Sequence, residues 1–362
     1  MNEMKEEILS GKITIIANEK CLIEQAAIDQ LSIVAALPGV IRAVGLPDLH
    51  PGKSPVGVVL ETDNIVYPHI IGNDIGCGMG LFETNCMVKK FKQDQFFKKL
   101  NEIASLRDIV IENPFPETSP IPDLGTIGGG NHFAEFQTVE KVYDTEVFQR
   151  LDIDRNHVLL LVHSGSRSYG DKILDGFPGT NGLSSESRQA YLTAHDDALV
   201  WAQRNRLMVA MKLTEYLGYS TGLKKLIDCR HNFVECSGGG YIHRKGAVST
   251  LNGCVVIPGS RGNLTYIAEP VETVTASLFS LSHGAGRKWI RSYCKGRLKD
   301  KYHRNEIHET QLGSKTVCHD TNLLYEEAPE AYKNIDNIMN ALVQYGLCKV
   351  VAVLRPLITF KA

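Results

Sequence analysis

The stretch "NDIGCGMG" at residues 73–80 places a carboxylate and a thiol three positions apart, among three glycines. Glycine permits positive φ angles and close approach of the backbone, so Asp74 and Cys77 have room beside them for a ligand. Each residue also has an ordinary interpretation, because a turn aspartate often bonds its own backbone and a buried cysteine often packs as a small apolar side chain. The stretch by itself leaves a metal-binding role and a structural role open.

The composition is that of a globular protein rather than of a basic nucleic-acid coat. Of the 362 residues, 43% are hydrophobic and 22% are charged, and the formal net charge is −2. A protein of this charge attracts nucleic acid only through a local patch. Any contact with RNA or DNA must therefore come from a short basic segment.

The cysteines and the N-terminal residues predict a cytoplasmic protein. The nine cysteines form no CxxC pair and no disulfide-framework spacing, which suits a reducing compartment in which a thiolate can bind a metal. Residues 1–12 are charged and lack the apolar core of a signal peptide. No run reaches the roughly 18 apolar residues that a membrane span needs. We therefore expect a cytoplasmic location and no membrane partner.

Hydrophobic periodicity predicts a chain that mixes helices and strands. Helical patterns cover residues 21–37, 93–106, 185–217, 284–294 and 330–345. Strand patterns cover residues 12–18, 156–166, 229–235, 241–249 and 253–262, and the chain ends on another. The candidate motifs are scattered along the chain with no linker or repeat between them. We therefore expect a mixed α+β fold and a single domain over residues 1–362.

Five short segments each present a metal-competent side chain beside a glycine or at a strand end. These side chains are Asp74 with Cys77, His132, His163, His231 and His283. A lone histidine at a strand end is most often a capped or half-buried polar residue, but five such segments are hard to assign to turn chemistry alone. From spacing alone, a metal site and a set of structural residues remain equally supported. A Cys/His/Asp set excludes all-oxygen calcium or magnesium sites and suits manganese, zinc, iron or cobalt.

Eight sequence blocks resemble the RtcB family of RNA ligases and occur in the family's order. They are "PDLHPGK" (47–53), "DIGCGM", "GGGNHF", "HSGSR", "HN" followed by "HRKGA", "IPGS", "HGAGR" and "EAPEAYKNIDNIM" (327–339). The blocks cover nearly the whole chain, which is most similar to the compact bacterial branch often associated with a release-factor-like protein. The resemblance implies central β-sheets flanked by helices around a dinuclear metal site.

The resemblance also implies the role of each metal-competent side chain. The thiolate of Cys77 would bridge two Mn²⁺ ions, with Asp74 and His132 on one ion and His163 and His231 on the other. His283 would be the nucleophile that attacks the α-phosphate of GTP and holds GMP through a phosphoramidate bond. Neutral imidazole is a competent nucleophile near pH 7.

The implied substrate is RNA with broken ends. GMP would pass from the histidine to an RNA 3′-phosphate, and the 5′-hydroxyl of a second end would then attack that phosphate and expel GMP. A 2′,3′-cyclic phosphate would first be opened by hydrolysis. The family function implies repair of tRNA or rRNA, with a release-factor-like protein or the ribosome as candidate partner.

The implied nucleotide pocket draws on six segments. Its residues are Asn131, His132, Phe133, Glu135, His231, Asn232, Pro258, Gly259, Ser260, Arg261, Thr265, His283, Gly284, Ala285, Gly286, Tyr332 and Lys361. Lys361 alone would be interpreted as a mobile terminal lysine. It follows Tyr332 by 29 residues, as in the family, which favours contact with the base or the ribose.

A basic run follows the implied nucleophile. Residues 287–304 contain eight lysines or arginines against the single acidic Asp300. Such a run is most often a solvated helix face, but its position favours contact with RNA phosphates. The expected RNA-binding residues are Arg287, Arg291, Lys295 and Arg297. Residues 89–99 form a weaker second patch.

Three positions depart from the family pattern. Arg261 stands where the family usually has methionine, Val248 replaces a threonine, and Ile290 replaces a serine. None of these changes removes an implied ligand or the nucleophile. They bear on which RNA is sealed and on nucleotide preference.

Two other functions are compatible with parts of the sequence. A dinuclear phosphoesterase or cyclic phosphodiesterase would need the metals but not His283 as a covalent carrier, and the intact "HGAGR" and Lys361 disfavour it. A non-catalytic RNA- or ribosome-binding protein would not need the complete ligand set. The sequence therefore favours the ligase.

Overall fold

The computed structural model of the protein describes residues 5–115, 123–219, 221–271, 275–302 and 306–361. The strands in these residues are β1 (Lys5–Ser10), β2 (Ile13–Ala17), β3 (Val40–His50), β4 (Val56–Asp63), β5 (Gly78–Met87), β6 (Phe133–Val142), β7 (His157–Ser164), β8 (Lys224–Arg230), β9 (Asn232–Ser237), β10 (Gly240–Lys245), β11 (Ala247–Ser249), β12 (Val255–Pro258), β13 (Thr265–Pro270), β14 (Ser280–Ser282), β15 (Lys315–Val317) and β16 (Cys348–Phe360).

The helices are named in the same way. They are α1 (Gln25–Ala35), α2 (Pro68–Ile71), α3 (Gln93–Asn101), α4 (Thr145–Arg150), α5 (Ser168–Asp175), α6 (Ser185–Leu217), α7 (Arg291–Leu298), α8 (Thr321–Glu326) and α9 (Ile335–Gln344), with short 3₁₀ turns at Val88–Lys90, Leu106–Asp108, Glu306–His308 and Pro329–Ala331. Among the helices of the described residues, none combines the length and the apolar content that a membrane span requires.

The strands form two large sheets and a two-stranded ladder. One sheet has the order β1-β2-β3-β4-β10-β9. The other has the order β12-β13-β16-β6-β7-β5-β8, with β15 paired in parallel to β16. Strands β11 and β14 make the small antiparallel ladder, which leads directly into His283. The predicted mixed α+β fold is confirmed.

The central strand β7 shows why the larger sheet is covered on both faces. Its sequence "HVLLLVHS" is apolar without alternation, and such a run suits a strand buried on both faces. Leu159 and Leu161 pack in a cluster that also contains α9, whereas Leu160 packs in a second cluster with α6. The sheet therefore lies between two hydrophobic layers, which hold its ends in fixed positions.

Strand register brings four of the implied ligands to one edge of this sheet. Cys77 directly precedes β5, and His231 directly follows β8, which is antiparallel to β5. His163 lies at the end of β7, where it pairs with Met79 of β5 and with Phe133 of β6. His132 directly precedes β6. Antiparallel pairing places the start of one strand beside the end of its neighbour, so the four residues meet.

The predicted elements differ from the structure mainly where glycines intervene. The predicted helix at 185–217 coincides with α6. The helices and strands predicted in the N-terminal half differ from the observed ones by a few residues at their ends. The predicted helix at 284–294 is wrong over its first turns, because α7 begins only at Arg291. Gly286 has a φ of 69°, which a helix cannot accommodate. The predicted strand at 229–235 is two strands, which separate at His231.

Candidate metal centre and nucleotide pocket

Three imidazole groups and one thiol converge at the edge of the larger sheet. The Sγ atom of Cys77 lies 3.2 Å from Nε2 of His132 and 3.2 Å from Nε2 of His163. Nε2 of His163 is in turn 3.3 Å from Nε2 of His231. The carboxylate of Asp74 approaches Nε2 of His132 to 2.8 Å. These atoms form two possible metal-ligating groups that share the thiol, one with Asp74 and His132 and the other with His163 and His231.

The donor set fits a pair of transition-metal ions. The thiol, the imidazole nitrogens and the Asp74 carboxylate lie in pairs 2.8–3.3 Å apart, and such sulfur, nitrogen and oxygen donors together bind transition metals. The Nδ1 atoms of His132 and His231 have no hydrogen-bond partner among the described residues. Burial lowers the pKa of His163 and His231 well below the ordinary value and keeps both rings neutral, which is the form that binds a metal.

The pKa values of Asp74 and Cys77 shift in opposite directions. Burial alone would raise the pKa of Asp74, but the charge of His132 and the hydrogen bond to it outweigh burial and lower this pKa. Burial and the neighbouring Asp74 carboxylate raise the pKa of the Cys77 thiol well above its ordinary value. A thiolate at this position therefore needs a cation beside it, so metal binding and loss of the thiol proton are coupled.

A buried arginine ties the ligand-bearing segments together. Nη1 of Arg206, on α6, donates to the carbonyl of Gly76 at 2.8 Å and to the carbonyl of Ser164 at 2.9 Å. The rest of its guanidinium donates to both carboxylate oxygens of Asp228, on β8, at 2.9 and 2.6 Å. Each bonded segment carries a member of the cluster. No pattern in the sequence indicates Arg206, because all these contacts depend on tertiary structure.

Close packing explains the glycine beside His163. A Cβ atom on Gly165 would lie 2.2 Å from Oδ1 of Asp74, so any side chain there would displace the carboxylate. The glycine of "HSGS" therefore makes room for Asp74 rather than providing flexibility.

The imidazole of His283 is held by an aspartate that carries no role in the sequence analysis. Oδ2 of the fully buried Asp48 accepts a hydrogen bond from Nδ1 of His283 at 2.7 Å. Burial raises the pKa of Asp48, but the bond from His283 outweighs burial and lowers it. A carboxylate on Nδ1 selects the tautomer whose lone pair is on Nε2. The ring of His283 lies 4.8 Å from that of His231, measured between centroids.

Asp48 belongs to the block "PDLHPGK", so its segment was recognised although its role was not. It lies 235 positions before His283, and no spacing links the two. Gly286 reinforces the contact, since a Cβ atom on this residue would lie 2.5 Å from the carbonyl oxygen of Asp48. The "HGAG" turn therefore packs directly against the aspartate.

A cavity of about 270 Å³ opens onto both the metal cluster and His283. Its lining includes every residue of the predicted nucleotide pocket except His132 and Thr265. His132 instead faces a neighbouring open cavity together with Asp74. Thr265 lies behind the wall, where its hydroxyl accepts a hydrogen bond from Gln137 at 2.9 Å. The structure thus gathers these residues around one space, and their contact with a nucleotide stays a prediction.

A buried glutamate organises the far wall of the cavity. The Glu327 carboxylate accepts hydrogen bonds from Arg287 at 3.0 Å, from Arg291 at 2.5 Å and from the Tyr332 hydroxyl at 2.5 Å. Burial raises the pKa of Glu327, but Lys361 and the two arginines outweigh it and lower this pKa to about 2. Glu327 opens the block 327–339, but its sequence context does not predict this role.

The penultimate lysine is fixed rather than mobile. Nζ of Lys361 donates to the carbonyl of His132 at 2.9 Å and lies 3.7 Å from the Glu327 carboxylate. Its side chain is buried at the end of β16. The lysine thereby links the cavity wall to the segment that carries a predicted metal ligand.

Glu135 is a second buried carboxyl group in the cavity. It accepts hydrogen bonds from the Thr359 hydroxyl at 2.5 Å and from Gln137 at 2.7 Å. Burial raises its pKa to about 7, and the hydrogen bonds only partly offset this. Near neutral pH this group exists in both protonation states, so it can donate or accept a hydrogen bond toward a ligand.

Arg261, which departs from the family pattern, bonds mainly to backbone. Its guanidinium donates to the carbonyls of Ile307, Leu324 and Glu327 at 2.8, 3.0 and 3.1 Å. It therefore joins the "PGSR" loop to the segment that carries Glu327. These bonds leave little of the guanidinium free, and its contact with a nucleotide stays a prediction.

The four predicted RNA-binding residues lie in two different environments, the cavity wall and the surface of α7. Arg287 and Arg291 line the cavity and pair with Glu327. Lys295 donates to the amide oxygen of Asn322 at 2.8 Å, and the guanidinium of Arg297 lies over the Trp289 ring. Arg304, the last residue of the basic run, lies outside the described residues.

The fold and the cavity define a class of protein: a mixed α+β chain with a buried Asp–Cys–His cluster beside an anchored histidine. The family model for "tRNA-splicing ligase RtcB" matches residues 30–110, 112–180 and 180–362. The chain is 42% identical to "RNA-splicing ligase RtcB2" of Escherichia coli strain ATCC 25922, over 98% of this chain and 96% of that protein. It is 28% identical to "tRNA-splicing ligase RtcB" of Archaeoglobus fulgidus, over 93% and 91% of the two chains. The chain belongs to the RtcB family, and the resemblance stated from the sequence is confirmed.

Proposed function

We propose that this protein is an RNA ligase that joins 3′-phosphate or 2′,3′-cyclic phosphate ends to 5′-hydroxyl ends, with GTP as co-substrate and two Mn²⁺ ions per site. One observation carries the proposal. The Asp48-anchored His283 and the Cys77-centred cluster open onto the same cavity. The names of the relatives, which are RNA- and tRNA-splicing ligases, support the reaction class.

The cluster would hold the two ions through the ligands already described, with Cys77 shared between them. Two such cations neutralise charge on phosphoryl oxygens and align an in-line displacement. The protein's own part is to fix the geometry. Arg206 holds the loops of Gly76 and Ser164, and burial keeps His163 and His231 neutral.

The first covalent step falls to His283. Its Nε2 lone pair forms a bond to the α-phosphorus of GTP, and the bond from that phosphorus to the pyrophosphate oxygen breaks. The ring then carries a positive charge, which the Asp48 carboxylate on Nδ1 stabilises. A nearby anion fixed before the reaction stabilises the developing charge without reorganisation.

The two later steps return the histidine to its starting form. An oxygen of the RNA 3′-phosphate attacks the phosphorus of the histidine-bound GMP, and the P–N bond breaks. The 5′-hydroxyl oxygen of the second end then attacks the activated 3′-phosphorus, loses its proton and displaces GMP. A cyclic phosphate is first opened by water to a 3′-phosphate.

The nucleotide would occupy the cavity wall around Glu327, Tyr332 and Lys361, with Glu135 as a second polar contact. Arg287, Arg291 and Lys361 share the Glu327 carboxylate there, so the wall offers directed hydrogen bonds and an excess of positive charge. The RNA substrate is tRNA or rRNA with ribonuclease-type ends. A cytoplasmic location, a release-factor-like partner and the single domain over residues 1–362 remain part of this proposal.

The test is formation of a covalent protein–GMP adduct. The protein is incubated with α-labelled GTP and Mn²⁺, and an acid-labile, alkali-stable label is expected on the native chain and absent from His283→Ala. Tyr143→Ala, an exposed residue on the segment after β6, is the control variant. A native protein without adduct, or an undiminished adduct in His283→Ala, contradicts the ligase. Hydrolysis of a 2′,3′-cyclic phosphate without any adduct would instead identify the phosphodiesterase.

A further inference from the structure

The outer face of α7 carries large side chains in contact with solvent. Ile290 is 59% exposed and Tyr293 is 58% exposed. The Trp289 ring, which is partly exposed, has the guanidinium of Arg297 at 4.9 Å and Nζ of Lys288 at 5.0 Å from its centroid. Tyr293 and Arg297 are four residues apart on α7 and share a helix face, and Ile290 is the N-cap residue directly before the helix. We call this group the α7 surface; it consists of Trp289, Ile290 and Tyr293 with the cations Lys288, Lys295 and Arg297.

The α7 surface begins at the mouth of the cavity. It follows Arg287 and includes the turn before Arg291, and both arginines line the cavity of His283. The backbone amides of Lys288 and Trp289 donate to the carbonyl of Ala331, next to the cavity residue Tyr332. The surface is therefore anchored to the wall of the site, and a polymer that leaves the site on this side meets it first.

Among the described residues, the cations of the α7 surface form no salt bridge with an acidic side chain. Within the described part of the chain, no salt bridge joins Lys288 or Arg297 to a carboxylate, and Lys295 contacts only the neutral Asn322. By contrast, Arg287 and Arg291 are paired with Glu327. Lys288, Lys295 and Arg297 therefore offer a polyanion positive charge that no acidic side chain of the described residues pairs, next to the cavity wall.

We propose that the α7 surface is a stacking platform for unpaired bases of single-stranded RNA next to the end being joined. The proposal rests on the proposed function and adds the form of the substrate. Bases that stack on aromatic side chains beside a basic track are the usual mode of single-strand binding. The centre of a protein interface is by contrast depleted of charge, whereas here two cations flank the Trp289 ring.

The platform selects unpaired nucleotides for a geometric reason. In a duplex the faces of each base are covered by its neighbours, whereas a loop or a frayed end exposes them. Tyr293 offers an open ring and Ile290 an apolar edge, while Lys288 and Arg297 are positioned for the flanking phosphates.

The first test is equilibrium binding of a single-stranded RNA that carries a 3′-phosphate, measured without GTP. Tyr293→Ala is expected to lose about tenfold in affinity, since stacking contributes roughly 1–3 kcal/mol per base and 1.4 kcal/mol is tenfold. Tyr293→Phe retains the ring and the affinity. The matched control is Tyr143→Ala, which removes a tyrosine that is 57% exposed and has Lys141 at 4.4 Å from its ring.

A second test separates stacking from phosphate contact. Replacing the bases near the 3′ end by abasic riboses keeps every phosphate. The replacement is expected to weaken binding to the native protein by the same factor as Tyr293→Ala, and not to weaken binding to Tyr293→Ala further. Equal effects of the abasic RNA on both proteins would overturn the platform.

Tryptophan fluorescence gives an independent readout. The chain has two tryptophans, of which Trp201 is buried and Trp289 is on the α7 surface. RNA binding is expected to quench the emission, and Trp289→Phe is expected to remove the quenching. Quenching that persists in Trp289→Phe would overturn the assignment of the surface.

The two proposals fail in different ways. A native protein that forms no GMP adduct contradicts the ligase, whatever its RNA affinity. If the native protein forms the adduct and Tyr293→Ala binds RNA as tightly as the native protein does, the platform alone is contradicted. The α7 surface would then be assigned to a protein partner.

Discussion

Two sets of buried histidines in this molecule have opposite surroundings. In the first set, Nε2 of His132 and Nε2 of His163 each lie 3.2 Å from the Cys77 thiol, and Nε2 of His231 lies 3.3 Å from that of His163. In the second set, His195 and His243, each Nε2 accepts a backbone amide proton, at 3.1 and 2.9 Å. Residue type and burial are the same in the two sets, and only the partner of Nε2 differs.

The difference separates a structural histidine from a candidate ligand. An Nε2 atom that accepts a backbone N–H is satisfied by the fold, as buried polar groups normally are. In the first set nitrogen and sulfur donors lie together without a backbone N–H, and a bound cation would stabilise this arrangement. The comparison therefore predicts that the two sets respond differently to substitution, metal and pH.

The largest effect is expected from Cys77→Ser, which removes the shared ligand of the first set. The metal affinity should fall by more than the roughly 100-fold that loss of an outer contact costs, and the GMP adduct should disappear with it. Metal titration by calorimetry and the labelled-GTP assay measure the two effects. Two Mn²⁺ ions retained per chain in Cys77→Ser would show that the thiol is not the bridge.

The next effect compares His231→Gln with His243→Gln in thermal unfolding. A ligand at 100 times its Kd stabilises a protein by about 2.7 kcal/mol, so Mn²⁺ should raise the melting temperature of the native chain. His243→Gln should keep this metal-dependent rise while unfolding at a lower temperature throughout. His231→Gln should lose the rise. The same metal response in both variants would remove the distinction between the two sets.

A smaller effect is expected at Arg206, which contacts neither set directly but bonds the loops of the first. Lysine cannot reproduce the fork that joins Asp228 to two carbonyls, so Arg206→Lys should lower metal affinity by about 10- to 100-fold. Arg355→Lys is the matched control, since Arg355 makes a bidentate pair with Glu140 at the surface. Equal metal affinity in Arg206→Lys and the native protein would restrict Arg206 to a packing role.

Over a single pH unit, the smallest effect concerns the second set. Burial lowers the pKa of His243 to about 3, whereas the unfolded chain binds a proton near 6.5. The contribution of neutral His243 to stability is therefore complete above pH 6.5 and is lost as the pH falls from 6.5 toward 3. The free energy of unfolding should fall by up to about 1.4 kcal/mol per pH unit more in the native protein than in His243→Gln. Denaturant titrations at several pH values measure both slopes, and parallel slopes would contradict the assignment.

The sequence predicts the fold where a pattern is long and local. The 33-residue helix α6 and the apolar run of β7 follow from their own periodicity. The helix predicted at 284–294 fails because the glycines of "HGAG" adopt a turn that packs on Asp48, a residue of another sheet. The α7 surface and the positions of the candidate ligands in their strands therefore could not be predicted from local patterns.

The sequence predicts which residues belong to the candidate site but not how their side chains contact one another. Motif order identified the family and, by resemblance, the ligands. It could not show that Asp48 holds His283, that Glu327 pairs the arginines expected to bind RNA, or that Arg206 joins three ligand-bearing segments. Each of these contacts joins residues more than 20 positions apart, and side-chain pairing over such distances leaves no local pattern.

The central claim is that the converging histidines and Cys77 bind two metal ions with a shared thiolate. Electron paramagnetic resonance of the metal-depleted protein titrated with Mn²⁺ tests this most directly. The account predicts saturation at two ions per chain with a spin-coupled signal, replaced in Cys77→Ser by weaker, uncoupled binding. Saturation at one ion, or two uncoupled ions in the native protein, would contradict it.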